Sequence, residues 1–306
     1  MGTVDSVSPA PKSPPRQKSG GTGVCDDSNW VVYTPESPAR HPVRLVSHMM
    51  ADVIAGRELA WRLFVRNIKA QYRQSVLGYA WAFLPPLVTT AVFVFLKAQQ
   101  VLNIDTPGMN YTLYLLTGII LWQTFMESLN APLRLVGGAR GMLAKVNFPR
   151  EALLMTAFGE VVFNLAIRII LLVLAFIWFR PDLSLTLCFV PFGILALIAL
   201  GMSMGLLLVP LGLLYQDVGR AVGLVSLFWM FVTPVLYLPP VTWPGVLVLW
   251  LNPVSPVLTT CRDWMLLGSA PALAGFLGVS AVSILIVLPL GLVMYRLAMP
   301  ILIERM

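Results

Sequence analysis

Three polar residues recur at intervals of four along one apolar segment of the sequence. Glu160, Asn164 and Arg168 therefore lie on one face of a helix. If that helix crosses a membrane, its arginine costs at least about 2.5 kcal/mol at mid-span, so this face must contact protein or water. Glu160 and Arg168 lie about 12 Å apart along the axis, too far to pair directly, and Asn164 is placed to bridge them. Two interpretations stay open: a structural polar network between helices, or contact with an anionic group of a ligand.

A basic stripe is the second chemical feature, on a helix predicted over residues 57–74. Its members are four cations spaced at helical intervals, Arg62, Arg66, Lys69 and Arg73. A neighbouring apolar stripe contains Trp61, Phe64, Val65, Ile68 and Tyr72. This pattern is typical of a helix that lies in a membrane interface with its cations near phosphate groups. The basic flank either recruits an anionic substrate to a lateral entrance or anchors the helix to anionic lipid.

No pattern in the sequence indicates a catalytic or metal site. Cys25, Cys188 and Cys261 fall in three different regions without a CxxC or Cys/His cluster. His41 and His48 have no further ligand at a suitable spacing. We therefore predict no catalytic residue, no metal and no cofactor bound by this chain.

Composition indicates a polytopic membrane protein. Hydrophobic residues make up 58% of the chain and charged residues 11%, whereas a soluble domain has about 25% charged residues. The mean hydropathy is +0.80. The net charge of +7 comes from cations in tails and loops beside apolar segments. Membrane topology explains these cations better than nucleic-acid binding does.

The sequence divides into three parts, and the fold class that we predict is all-α. Residues 1–28 have the composition of a disordered cytoplasmic tail. Residues 29–78 contain a short strand candidate at 29–35 and the amphipathic interface helix. Residues 79–306 form the transmembrane domain. Its six apolar segments, each long enough to cross a bilayer, are placed at 79–98, 110–129, 152–179, 184–212, 219–238 and 273–296.

The distribution of lysine and arginine predicts the orientation. With the N-terminus inside, all but four of the 21 basic residues lie on the inner side; the exceptions are Lys97, Arg168, Arg180 and Arg262. Both termini are therefore predicted to be cytoplasmic. Gly78 permits a sharp bend before the first span, and Pro85 and Pro86 are expected to kink the start of that span.

Two predicted loops have residue patterns that indicate local structure and not simple connections. The cytoplasmic loop 134–150 predicts a short helix with an apolar edge, which docks either on its own membrane domain or on a partner. The outer loop 239–272 is apolar but rich in proline. We predict two short re-entrant or interfacial helices broken at Asn252–Pro253 and at Ser255–Pro256, forming an outer gate.

Four motifs in order, "YRQSVLGYAWAFLPP", "AKVNFPRE", "LLYQDVGRAV" and "LNPVSP", resemble the membrane subunit of ABC-2 type polysaccharide exporters. The nearest branch is the O-antigen permeases, and the capsule and teichoic acid permeases are related branches. The likeness covers roughly residues 30–306. Pro85 and Gln216 depart from the residues that the family more often has at these positions.

The resemblance implies a type V exporter fold and a homodimer that forms a channel in the bacterial inner membrane. Two separate ATPase subunits would bind ATP and Mg²⁺, and the cargo would be a lipid-linked polysaccharide. This chain itself has no G-x-x-x-x-G-K-[ST] loop. For Arg168, the anionic group would then be the diphosphate of the lipid.

The family pattern also implies roles for particular residues. ATPase coupling is assigned to Arg140, Met142, Lys145, Val146, Asn147, Phe148, Pro149, Arg150 and Asp217. Channel lining is assigned to Tyr79, Trp81, Trp122, Trp229, Glu160, Asn164 and Arg168, although an interfacial aromatic belt also explains the aromatic members. The outer gate is assigned to Trp250, Asn252, Pro253, Arg262 and Asp263.

Two other classes of membrane protein are alternatives for the same residues. A secondary transporter would use several midplane carboxylates, but only Glu160 and Glu127 are available. A membrane glycosyltransferase would use paired acidic residues, but Asp217 and Asp263 are predicted on opposite sides of the membrane. Both alternatives fit the sequence less well than an exporter subunit does.

Overall fold

The computed structural model of the 306-residue chain describes residues 42–73, 78–101, 109–139, 141, 151–182, 184–215, 217–240 and 242–304. Within these ranges every regular element is a helix, which confirms the all-α class. Residues 43–306 form one compact unit. The predicted tail over 1–28 and the strand candidate at 29–35 lie outside the described residues.

Ten α-helices follow one another in the described ranges, and some are joined by short turns. They are α1 Pro42–Arg73, α2 Leu84–Ala98, α3 Tyr111–Gly138, α4 Glu151–Phe179, α5 Val190–Leu214, α6 Asp217–Val232, α7 Gly245–Leu251, α8 Val254–Leu266, α9 Leu273–Val282 and α10 Leu288–Glu304. Single 3₁₀ turns precede α2 (Gly78–Ala82) and α5 (Leu185–Phe189). A π-helical turn, Ser283–Val287, joins α9 to α10 without a break.

Among the described residues, three helical segments are long and apolar enough to cross a membrane, at Glu151–Phe179, Leu185–Leu214 and Leu273–Met299. The shorter α2 is also apolar. α3 is less apolar because Tyr, Thr, Gln and Glu interrupt it, and most of its side chains are buried among the other helices.

The predicted segment 152–179 agrees closely with α4, and 184–212 agrees with the 3₁₀ turn Leu185–Phe189 and α5 taken together. α3 extends nine residues beyond the predicted 129, whereas α6 ends six residues before the predicted 238.

α3 and α5 form the centre of the molecule and approach each other closely through small residues. A Cβ on Gly201 would lie 2.7 Å from the carbonyl oxygen of Phe125, and a Cβ on Gly205 would lie 2.3 Å from that of Leu129. Neither distance leaves room for a side chain. Small residues at helix interfaces permit this approach in membrane proteins, where van der Waals packing replaces the hydrophobic effect as the source of stability.

α1 docks on α4 by a face that overlaps the predicted apolar stripe only in part: Ile68 of the stripe is buried, and Phe64 packs against Phe163 of α4 at 6.1 Å between ring centroids. Ala60, Leu63 and Ile68 are buried, and Thr156 of α4 donates a hydrogen bond to the Ala60 carbonyl at 3.2 Å. Trp61, which we assigned to the apolar stripe, is 64% exposed. The buried face is rotated by about one residue because a protein surface, and not only lipid, covers it. The side chain of Tyr72 lies outside the described residues.

An ion-paired cluster holds the beginning of α1 to the last helix. The Arg296 guanidinium of α10 lies 2.7 Å from the Asp52 carboxylate of α1. A second nitrogen of Arg296 lies 3.8 Å from Glu151, the first residue of α4. The cluster therefore ties three helices together at the end of the molecule where α4 begins.

Gly78 has φ +49°, a conformation that residues with a side chain rarely adopt, as expected of a glycine at the predicted bend. The bend itself stays a prediction, because residues 74–77 lie outside the described residues. Pro85 and Pro86 lie in the first turn of α2, where no backbone donor is lost, so they do not interrupt that helix. The 3₁₀ turn Gly78–Ala82 precedes α2, so the start of the predicted first span is not one continuous α-helix.

The outer loop contains two short helices, as predicted, but has one break instead of two. α7 ends and α8 begins around Asn252–Pro253. Ser255 and Pro256 lie in the first turn of α8, where a proline is tolerated, so the predicted second break is wrong.

The close contact of α3 and α5 generates a prediction. Gly205→Ala forces the two backbones apart and should lower the free energy of unfolding by about 1–3 kcal/mol. The measurement is the thermal denaturation midpoint of the purified protein in detergent. Gly223→Ala on α6 is the matched control, because no atom lies within 4 Å of its added Cβ. An unchanged midpoint for Gly205→Ala would contradict the packing described here.

Candidate functional site

The buried polar residues of α4 pair with residues of α3. The Arg168 guanidinium lies 2.7 Å from the Glu127 carboxylate, and both side chains are almost buried. Asn164 donates a hydrogen bond to the other oxygen of Glu127. Glu127 is thus held by two residues of the neighbouring helix. Arg168 Nε has no hydrogen-bond partner within the described ranges, so the pair is held mainly by its charges.

A second ion pair lies further along the same two helices. Arg134 of α3 donates to Glu160 of α4 at 2.9 Å. Asn67 of α1 donates to the other oxygen of Glu160 at 2.8 Å. Arg66 in turn donates to the Asn67 side-chain oxygen at 3.1–3.2 Å. The network therefore continues from α3 and α4 to the exposed surface of α1.

These contacts correct the sequence-based expectation for the face of α4. Asn164 was expected to bridge Glu160 and Arg168, but each of those charges has its own partner on α3. Both helices place the glutamate before the arginine: Glu127 precedes Arg134 by seven residues, and Glu160 precedes Arg168 by eight. Because the two helices are antiparallel, this shared order places each glutamate beside the arginine of the other helix, at about 1.5 Å of rise per residue. The similar spacing was the signal in the sequence that could have identified Arg134.

A cavity of about 370 Å³ lies beside the Glu127–Arg168 pair. It is lined by residues of α1, α3, α4 and the turn before α2, namely Gln71, Trp81, Ala82, Met126, Glu127, Asn130, Arg134, Asn164 and Arg168. A second cavity of about 260 Å³ lies beside it, between α1, the end of α3 and the start of α4. Arg134 lines both cavities.

The predicted entrance residues form an exposed basic edge along α1. Arg62, Arg66, Lys69 and Arg73 are all exposed. Arg62 forms an ion pair with Glu58 one turn earlier, and Arg66 also lines the smaller cavity. The basic edge is therefore continuous with the polar network, which the sequence did not reveal.

The four aromatic residues assigned to the channel fall into two pairs. Tyr79 and Trp81 are about half exposed, and Trp81 lines the larger cavity. Trp122 is 5% exposed and packs edge-on against Trp229 at 6.1 Å between ring centroids. Trp122 is thus a core residue and not part of an open surface, because a ring enclosed by its own chain has no free face.

Among the residues assigned to an outer gate, Asn252 forms a hydrogen-bonded junction between the end of α6 and α8. Asn252 donates to Thr233 at 2.8 Å, accepts from the Trp229 indole at 3.0 Å and caps α8 through the Val254 amide at 3.1 Å. Pro253 is the residue that precedes α8. Trp250 is exposed on α7.

Arg262, which the charge count assigned to the outer side of the membrane, lies inside the protein. It is 1% exposed, stacks over the Tyr114 ring at 3.8 Å and donates to the Pro234 carbonyl at 2.8 Å. Its neighbour Asp263 is also buried. A buried cation over an aromatic face is stabilised by the ring quadrupole, so Arg262 holds the beginning of α3 to α8.

Most of the coupling residues lie outside the described residues, namely Arg140, Met142, Lys145, Val146, Asn147, Phe148, Pro149 and Arg150. The exception is Asp217, which begins α6, is exposed and pairs with Arg220 at 3.2 Å. In the part of the chain that the structure describes, no three His, Cys, Asp or Glu residues lie close enough to hold a metal ion.

Comparison with known proteins agrees with this architecture. The ABC-2 type transporter family matches residues 58–266. The chain is similar to the O-antigen export system permease protein RfbA of Myxococcus xanthus, at 27% identity over 247 residues that cover 78% of this chain and 92% of the relative. It is also similar to a protein of the same name from Klebsiella pneumoniae, at 26% identity over 211 residues, covering 66% of this chain and 78% of the relative.

The family match covers every helix from α2 to α8, together with the basic half of α1 that joins the polar network. It therefore includes every ion pair and cavity described above except the Arg296 cluster. From this match over most of the chain, together with the apolar helices, we conclude that the protein belongs to the ABC-2 type transporter family, as a membrane subunit.

Proposed function

We propose that this chain is the transmembrane subunit of an ATP-driven exporter that moves a lipid-linked polysaccharide across the bacterial inner membrane. The observation that carries the proposal is the polar cavity beside Glu127 and Arg168, which lies between apolar helices and next to an exposed basic edge. A lipid-linked glycan has an apolar tail, a phosphate and hydroxyl groups. The apolar helices would contact the tail, the basic edge the phosphate, and the polar cavity the hydroxyl groups. The O-antigen named for the relatives supports this cargo class.

The energy for export would come from two separate ATPase subunits. The chain has no phosphate-binding loop, so ATP and Mg²⁺ would bind to the partner. The segment 134–150 would dock on the ATPase as a coupling helix. Support comes from its position, since it includes the end of α3 and leads directly into Glu151 of α4.

The channel would form between two copies of the chain. α6 supports this proposal because none of its side chains is buried within one copy. Its large apolar residues are exposed, including Leu224, Leu227, Phe228 and Phe231. A second copy would cover part of this surface and lipid would cover the rest.

The proposed topology has six crossings, with both termini in the cytoplasm. α2 has 15 residues and α6 has 16, both short of the roughly 20 needed to span a bilayer, so the 3₁₀ turn before α2 and the turn after α6 would have to complete these two crossings. α3, α4, α5, α6 and the continuous α9–α10 segment would provide the other crossings. α7 and α8 would then form the outer gate in the loop 239–272, at the junction that Asn252 holds.

Reconstitution tests the proposed function directly. The chain, placed in liposomes with its ATPase partner, should move a lipid-linked polysaccharide across the bilayer only when ATP is present. The same cargo should raise ATP hydrolysis above its basal rate. Transport driven by an ion gradient without the ATPase would contradict the proposal.

The coupling helix is tested by removing the apolar edge of its segment. Val146→Asp with Phe148→Ala should abolish co-purification with the ATPase, because a carboxylate cannot be buried unpaired in an apolar groove. Pairing of two membrane subunits should persist. Leu185→Asp is the control, since it adds the same charge at an exposed apolar position on the predicted outer side. Full retention of the ATPase by the double variant would end the coupling-helix assignment.

Variants of the Glu127–Arg168 pair test whether the pair only supports the fold or also takes part in export. Arg168→Met leaves Glu127 buried without its cation and should cost about 3–5 kcal/mol of stability. Adding Glu127→Gln removes that charge and should restore most of the thermal stability. Export by this double variant should nevertheless fall at least tenfold, because the cavity wall has changed. Normal export by the stable double variant would show that the pair only supports the fold.

A further inference from the structure

The charges around the larger cavity are balanced within the protein itself. Arg168 faces Glu127 at 2.7 Å, and Arg134 faces Glu160 at 2.9 Å. A site that binds a bare anion needs an excess of cations. Here an entering diphosphate would meet Glu127 together with Arg168 and would be repelled as well as attracted. The cavity is therefore poorly suited to hold a diphosphate.

Three further polar side chains of the wall, Gln71, Asn130 and Asn164, are neutral amides, and an amide combines one acceptor oxygen with two donor hydrogens. Asn130 uses one of its hydrogens on the Met126 carbonyl at 2.8 Å, and Asn164 uses one on Glu127. Glu127 adds acceptor oxygens. A sugar hydroxyl both donates and accepts, so this mixture of groups matches a polyhydroxylated neutral ligand better than it matches a hydrocarbon or an anion.

Trp81 adds an apolar surface at the edge of the same cavity. Its side chain is 53% exposed, so one side of the indole is open to a ligand. A large rigid ring with a polar tip packs against the apolar face of a sugar while the neighbouring amides contact the hydroxyls. The volume of about 370 Å³ is at the small end of the range for ligand sites and suits a single small unit and not a polymer.

We propose that this cavity is a sugar subsite, which holds one neutral sugar unit of the exported glycan against Trp81, Gln71, Asn130, Asn164 and Glu127. This proposal rests on the proposed export function. Arg168 then acts as a positioning residue for Glu127 and not as a ligand of the diphosphate. The diphosphate would remain at the rim, where the exposed cations Lys69 and Arg73 flank Gln71 on α1.

The experiment uses the full chain with its ATPase in nanodiscs and two kinds of probe. One is a polyprenyl diphosphate, and the other is the same lipid carrying one glucose or one N-acetylglucosamine. ATP hydrolysis is measured against the concentration of each. With the unaltered protein, the sugar-bearing lipids should reach half-maximal stimulation at an about tenfold lower concentration, which corresponds to roughly 1.4 kcal/mol.

Two variants of the cavity wall should remove this preference. Trp81→Ala and Gln71→Ala should bring the half-maximal concentrations of the probes to within about twofold of each other. Both residues are exposed, so neither change is expected to prevent folding. Trp61→Ala is the matched control, since Trp61 is an exposed tryptophan of α1 that does not line the cavity.

The outcomes distinguish this site from the export function. If Trp81→Ala and Gln71→Ala keep the full preference for sugar, the proposed subsite is wrong. If the unaltered protein responds equally to all probes, it recognises only the diphosphate, and the subsite is wrong while export stands. If no probe stimulates hydrolysis, the export function itself is contradicted and the subsite with it.

Discussion

The register of α3 against α4 depends on two ion pairs that cross between these helices, each with a nearly buried carboxylate. Glu127 with Arg168 and Arg134 with Glu160 are aligned only when the helices are antiparallel and in one axial position. A shift by one helical turn, about 5.4 Å, would leave the nearly buried Glu127 and Glu160 without partners. Because an unpaired buried charge is costly, this arrangement excludes other registers. The larger cavity exists because the same pairs hold its wall in place.

α3 connects this charged region with the other end of the molecule. On one side it packs closely against α5, where Gly201 and Gly205 leave no space between the backbones. At its beginning, Tyr114 supports the buried guanidinium of Arg262. A helix that bears charged, aromatic and glycine contacts on different faces is not apolar enough to resemble a lipid-facing span. Its lower hydropathy therefore reflects its central position, where protein and not lipid surrounds it.

The helical segments could be predicted well, because an apolar run of the right length has few alternatives in a membrane. α4 at Glu151–Phe179 differs by one residue from its predicted beginning. The site was predicted only in part. Arg168 and Glu160 were recognised as costly charges that need partners, but their partners Glu127 and Arg134 were not assigned, since pairing across helices requires knowing which helices are neighbours. The buried face of α1 was predicted only in part for the same reason, because the sequence does not show that α4 is its neighbour.

The sequence by itself determined the class of the protein: an all-helical membrane chain with a basic edge and a family pattern. These properties are local, since hydropathy, charge and motif order are read from residues near one another along the chain. Only the tertiary structure decided that Arg168 is neutralised by Glu127, that Trp122 is enclosed while Trp81 is open, and that Arg262 is buried. Each of these outcomes depends on contacts between residues far apart in the sequence, and burial and pairing are properties of such contacts.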